Sequence, residues 1–150
     1  MVPTQQDQLD TVTPAALDMI FQVNTFGPLL LTQALLPNLL AQPGSKVGIV
    51  SSRVGSIGDN SSGGTYAYRA SKAAVNSIGK SMAMDLKDKG VVVSLLHPGF
   101  TRTNINTGDD FPADSVEPQE AASKLWNVMI SKTIEDTGKF WHREGYELPW

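Results

Sequence analysis

The 150-residue chain has no cysteine, which excludes disulfides, thiolate catalysis and cysteine zinc sites within it. It has two histidines, His97 and His142, too far apart for a ligand-like spacing, so no metal site is expected. No lysine or arginine cluster is present and the formal net charge is −3, which argues against a nucleic-acid partner. No uninterrupted run of about 18 apolar residues occurs, so no membrane span is expected. Met1 to Asp7 has neither a basic region nor an apolar core, so it does not read as a signal peptide, and the expected location is cytoplasmic. No Gly-x-Gly-x-x-Gly lies between a strand and a helix. The Gly55/Gly58 and Gly63-Gly64 pairs have the wrong place and spacing, so this chain shows no dinucleotide phosphate cradle.

The residues that are present describe one domain, 1–150, with 41% hydrophobic and 18% charged residues, the balance of a soluble globular fold. The first ten or so are polar and read as loop. Thr13 before Pro14 reads as an N-cap with proline at the first helical position. A long helix then runs from Leu17 to about Leu40, interrupted at Gly27-Pro28 and with Pro37 near its end. Val47–Ser51 reads as a buried strand, followed by a Gly/Ser/Asn-rich loop. A second helix spans about Thr65 to Lys87 and stops at Gly90. Val91–Leu96 is the clearest strand, closed by His97-Pro98-Gly99. A polar loop reaches Val116, a third helix runs from Pro118 to about Ser131, and Lys139–His142 forms a last short strand. This alternation predicts an α/β fold with a parallel sheet of about three strands and three helices, part of a Rossmann-like doubly wound architecture.

Within the second helix, Tyr68 and Lys72 are four residues apart and share a face. An ammonium beside a phenol favours the phenolate, so the pair predicts a tyrosine with its pKa drawn down from the usual value near 10. Such a group suits proton exchange with a carbonyl or an alcohol. Asn24 is marked by another feature: Pro28 has no N–H to donate to its carbonyl, four positions back, which must find another partner. His97 reads as a structural residue at a strand end, and Trp126, Trp141 and Trp150 as packing residues.

Four stretches in order, Asn24-Thr25-Phe26-Gly27-Pro28, Val50-Ser51-Ser52, Tyr68-Arg69-Ala70-Ser71-Lys72-Ala73-Ala74 and Pro98-Gly99-Phe100-Thr101-Arg102-Thr103, resemble the C-terminal half of the short-chain dehydrogenase/reductase family. The resemblance covers nearly the whole chain from about Leu9. It implies an NAD(P)-dependent oxidoreductase, carbonyl reductase-like, acting on a small carbonyl or alcohol substrate. It implies that Ser52 orients the substrate, with Ser51 and Ser56 as alternatives because the interval to Tyr68 is three residues longer than the family's commonest spacing. Tyr68 would pass the proton, Lys72 would tune it and grip the nicotinamide ribose, and Asn24 would hold a relay water. Pro98, Gly99, Phe100, Thr101 and Thr103 would contact the nicotinamide.

The resemblance also implies that the cofactor-binding N-terminal half is absent, which leaves an exposed strand edge at Val47–Ser51. Association into a homo-oligomer is expected through the two long helices, on the small surface of Ala70, Ala73, Ala74 and Ser77. NAD and NADP are not distinguished by the residues present. The alternative is a truncated, non-catalytic remnant that acts at most as an interaction partner of a complete relative.

Overall fold

Thr13 caps the first helix in the computed structural model of the chain, which describes residues 7–103 and 111–150. Of the polar segments expected to be loops, residues 1–6 and 104–110 lie outside the described residues. The Thr13 hydroxyl accepts the Ala16 N–H at 3.2 Å and Pro14 opens α1, Pro14–Phe21. A wide π turn over Gln22–Phe26 separates it from α2, Gly27–Ala41. The interruption falls where Gly27-Pro28 predicts it, and the cause can be followed in the backbone. Proline cannot continue the ladder, and the ladder shifts one residue earlier: the Gly27 N–H donates to the carbonyl of Gln22, five positions back. Such single wide turns are a recognised way to seat an irregularity inside a helix.

Taken as a continuous helix, Pro14–Ala41 is 28 residues and is long and apolar enough, by length and composition, to cross a bilayer. The sequence conceals this because Asp18, Asn24, Thr25 and the prolines interrupt every apolar run. In the fold, the Asn24 and Thr25 side chains are spent on α3, Tyr66–Lys87: Asn24 Nδ2 donates to Ser71 Oγ at 3.1 Å and Thr25 Oγ1 to the Ser71 carbonyl at 2.9 Å. Farther along, Leu36 and Leu39 of α2 pack against the core formed by α3 and the sheet.

The sheet has three parallel strands in the order β1-β2-β3: β1 Lys46–Val50, β2 Val92–His97 and β3 Lys139–His142. The first two lie one residue away from the sequence-derived bounds, because Lys46 pairs with Val92 and Val50 with Leu96. The fourth helix, α4, spans Pro118–Ser131. One face of the sheet packs Ile49 and Val93 against Val75, Met82, Ala83 and Leu86 of α3. The other packs Leu96 and Trp141 against Leu125 and Val128 of α4. Every residue of β2 from Val92 to Leu96 is buried, as expected of a strand covered on both faces. β1 forms one edge of the sheet, as predicted, and Val50 there is 54% exposed.

Gly79 sets the approach of α3 to this sheet, since a Cβ there would lie 2.9 Å from a methyl of Leu95, which is fully buried. Alanine would gain about 0.5–1 kcal/mol of helix propensity, but overpacking a closed core costs about 1–3 kcal/mol. Gly79→Ala is therefore expected to destabilise the chain by about 1 kcal/mol, read as a lower midpoint in urea unfolding with an unchanged slope. A stabilised variant would show that the α3–β2 contact is looser than described.

Candidate active site

Parallel pairing brings the site residues to one end of the sheet. The ladder continues past β1, with the Ser51 N–H donating to the Leu96 carbonyl at 2.7 Å, so Ser51-Ser52 and His97-Pro98-Gly99 emerge side by side. In open α/β sheets this carboxyl end is where ligands bind. The opening of α3 meets the same end.

The three candidate serines separate by environment. Ser51 is buried and its hydroxyl donates to Asn76 Oδ1 at 2.6 Å. Ser56 is buried and accepts the Asp59 N–H at 3.2 Å. Ser52 accepts the Val54 N–H at 3.4 Å and acts on the Tyr68 phenol, whose pKa it lowers. The longer interval to Tyr68 is absorbed by the turn Arg53–Gly55 and the loop after it, leaving Ser52 as the serine on the tyrosine.

Lys72 lies one helical turn below Tyr68, its side chain buried and its Nζ 5.8 Å from the centre of the Tyr68 ring. The amine donates to the Val50 carbonyl at 3.0 Å, at the end of β1. The expected electrostatics are corrected by this geometry. Burial pushes the Tyr68 phenol above its ordinary range, and Ser52 only partly opposes it. Burial likewise holds the Lys72 ammonium below its ordinary range. With the cation over the ring, removing both groups from water outweighs their mutual effect.

Asn24 joins the group through Ser71, whose hydroxyl in turn donates to the Tyr68 carbonyl at 2.8 Å. Asn24 and Lys72 also line one cavity of about 580 Å³ between α2 and the β1 edge, together with Gly27, Pro28 and Val50. Pro98, Gly99, Phe100 and Thr101 follow β2; Gly99 has φ +67°, a backbone state that favours glycine. The Arg102 N–H donates to the Val116 carbonyl at 2.9 Å and the Val116 N–H to the Phe100 carbonyl at 3.1 Å, closing the base of the loop. Thr103 is at the edge of the described residues.

Two contributors escaped sequence reasoning. Asp7 is buried and caps α3 from outside: its Oδ1 accepts the Ala67 N–H at 2.7 Å and its Oδ2 the Tyr68 N–H at 3.1 Å. Thr65, in the N-cap position, has φ 46° and makes no side-chain cap of its own. A cap lying 61 positions away has no local signature. Arg143 is the other, a buried guanidinium against the Pro98–Phe100 turn.

His97 is packed 5.3 Å from the His142 ring, which stacks on Tyr146 at 4.6 Å. Burial first, then His142, Arg53 and Arg143, lower its pKa from 6.5 to about 4. The folded state keeps this imidazole neutral, so its contribution to stability is present above pH 6.5 and lost as pH falls toward about 4. His97→Gln is therefore expected to flatten the decline in unfolding free energy over that interval, measured by denaturant titration at stepped pH. An unaltered slope would place the titrating group elsewhere.

A sequence profile described as short chain dehydrogenase matches residues 3–110. The chain is 44% identical, over 95% of its length, to 1-hydroxy-2-glutathionyl-2-methyl-3-butene dehydrogenase of Rhodococcus sp. (strain AD45), and spans 63% of that protein. It is 37% identical to C-signal of Myxococcus xanthus, over 95% of this chain and 83% of the relative. Among solved structures, NADPH-bound carbonyl reductase from chicken fatty liver superposes with a TM-score of 0.87 at 31% identity, over 96% of this chain and 61% of that one. With the profile matching well over half of its residues and the fold superposing on a solved relative, the chain belongs to the short-chain dehydrogenase family.

Proposed function

We propose that the chain carries the proton-transfer and nicotinamide-side parts of an NAD(P)-dependent carbonyl reductase or alcohol dehydrogenase, and corresponds to the C-terminal portion of such an enzyme. The observation that carries this reading is the grouping of Tyr68 with Lys72, one turn away on the same helix with its Nζ 5.8 Å from the ring centre, and with Ser52, whose hydroxyl lowers the phenol pKa. This reading is supported by one relative being named as a dehydrogenase of a hydroxylated compound and a solved relative as a carbonyl reductase. A small carbonyl or alcohol is the corresponding substrate class here.

The residues fit one half of a dinucleotide. Gly99, with its positive φ, exposes backbone at the end of β2, and Lys72 and Asn24 face a common cavity. No glycine-rich strand-to-helix turn is present to cradle a pyrophosphate. A bound nicotinamide would supply the hydride. Tyr68 Oη would donate its proton to the substrate oxygen, and Ser52 Oγ would hold that oxygen in place. Burial keeps the phenol protonated but makes it a weaker acid, so donation to a carbonyl would draw on the Ser52 hydroxyl, which lowers the phenol pKa. Lys72, through its amine, and Asn24, through the cavity, would return the proton from solvent.

Homo-oligomerisation through α2 and α3 belongs to the same reading, supported by the exposed Ala70 and Ser77 and half-buried Ala73 and Ala74 on α3. A second reading, as a non-catalytic interaction module, is favoured by one observation. The chain spans 83% of a relative named as a signal but only 63% of one named as a dehydrogenase.

Titration with NADH and NADPH, followed by dihydronicotinamide fluorescence and a carbonyl-substrate screen, separates the two. Saturable binding is expected, with turnover lowered about 10²–10⁴-fold by Tyr68→Phe. Ser52→Ala should cost about 1–3 kcal/mol of transition-state stabilisation and raise the Tyr68 phenol pKa further, since it removes the one opposing interaction. No binding at about millimolar cofactor, roughly −4 kcal/mol of affinity, would reject the enzyme reading for this chain and favour the module.

A further inference from the structure

We propose that Arg143 is a positioning residue that holds the Pro98–Phe100 turn in its working shape, a role that rests on the nicotinamide assignment made above. Arg143 follows directly on β3, and its backbone N–H donates to the His97 carbonyl at 3.0 Å. The side chain is 5% exposed. One nitrogen, Nη1, donates to the carbonyls of Pro98 at 2.7 Å and Phe100 at 2.8 Å. Nη2 donates to the Asp114 carbonyl at 2.7 Å, so a single guanidinium ties together both ends of the segment leaving β2. Nε meets Glu144 at 3.2 Å, and Glu144 also meets Lys124 of α4 at 2.9 Å.

Gly99 shows how closely the turn is moulded to this group. Its φ is +67°, and a Cβ there would lie 2.5 Å from Nη1. The site thus demands glycine twice, once for backbone conformation and once for the guanidinium.

A buried cation is a poor source of stability, because leaving water costs several kcal/mol. What it provides is geometry. A planar fork with five donors can fix three carbonyls at once, whereas a lysine ammonium is a point charge on a flexible stem and cannot. The Phe100 carbonyl has a second donor in the Val116 N–H, and the Thr101–Val116 bridge closes the loop base independently. Loss of the guanidinium should therefore loosen Pro98 and Gly99 while the sheet stays intact.

Amide hydrogen exchange on the purified chain reads this directly, in the wild type, Arg143→Lys and Glu144→Gln. Arg143→Lys is expected to speed exchange at Gly99 and Phe100 at least about 10-fold, with β2 amides unchanged, as loss of a local constraint predicts. Glu144→Gln, which leaves the carbonyl contacts in place, should resemble the wild type. Gly99→Ala attacks the same contact from the other side and should speed the same amides, which keeps the test open if Arg143→Lys folds poorly. Unchanged exchange at Gly99 and Phe100, or faster exchange spread through the whole sheet, would overturn the proposal.

A second readout uses reduced nicotinamide mononucleotide as the probe, whose dissociation constant should rise about 10-fold in Arg143→Lys, the equivalent of about 1.4 kcal/mol. An equal affinity in the two proteins would overturn the positioning role. Failure of the wild type itself to bind the mononucleotide would instead count against the proposed function, and the exchange pattern alone would then decide whether Arg143 sets the turn.

Discussion

The close approach of α3 to the end of β1 is the constraint on which the site depends. A Cβ on Gly55 would fall 2.7 Å from the backbone carbon of Lys72, so only glycine lets the Arg53–Gly55 turn lie against the helix. With that contact made, the Ser52 hydroxyl acts on the Tyr68 phenol and the Lys72 amine reaches the Val50 carbonyl. Any residue with a side chain at 55 would force helix and strand end apart. Because Ser52 and Tyr68 come from different elements, a shift of an ångström there would separate them, a displacement of the size that matters in proton transfer.

The helix is fixed in its other directions by polar bonds that substitute for caps and ladders. The carboxylate of Asp7 occupies the first free N–H groups of α3, including that of Tyr68 itself. Thr25 and Asn24 bind the Ser71 carbonyl and hydroxyl, so the α1–α2 rod is keyed to α3 at the turn that carries the tyrosine. The π turn is what makes this possible: widening the backbone at Gln22–Phe26 rotates Asn24 and Thr25 together toward α3. Proline at 28 marks the position in the sequence, yet the shifted hydrogen bond it enforces belongs to Gly27.

How much was legible follows from the range of each interaction. Periodicity and punctuation are local, and they placed α4 and β3 at their observed bounds and the other strands and α-helices within a few residues, but not the short 3-10 turns Arg53–Gly55 and Ile134–Asp136. The four-residue spacing of Tyr68 and Lys72 is also local, and it put both on one helix face. The choice among Ser51, Ser52 and Ser56 was not legible, because it turns on whether Asn76 or Asp59 claims the competing hydroxyl. Asp7 and Arg143 act across 60 and 45 residues of chain respectively, through backbone atoms that carry no sequence signal. The apolar length of Pro14–Ala41 was hidden by a few polar residues whose partners become visible only in three dimensions.

The electrostatic expectation erred for a related reason. Spacing along a helix gives the distance between Cβ atoms, but the sign of a pKa shift depends on where the charged atom points and on how much water remains around it. Lys72 extends to the end of β1, so its nitrogen lies above the aromatic ring, and desolvation decides the direction for both groups. The phenol is thereby a weaker acid than a free tyrosine, and the ammonium a stronger one than a free lysine. Lys72 and Asn24 share one cavity, so the amine keeps a route to solvent on that side. Burial, rather than the cation, is thus the main agent tuning the tyrosine in this fold.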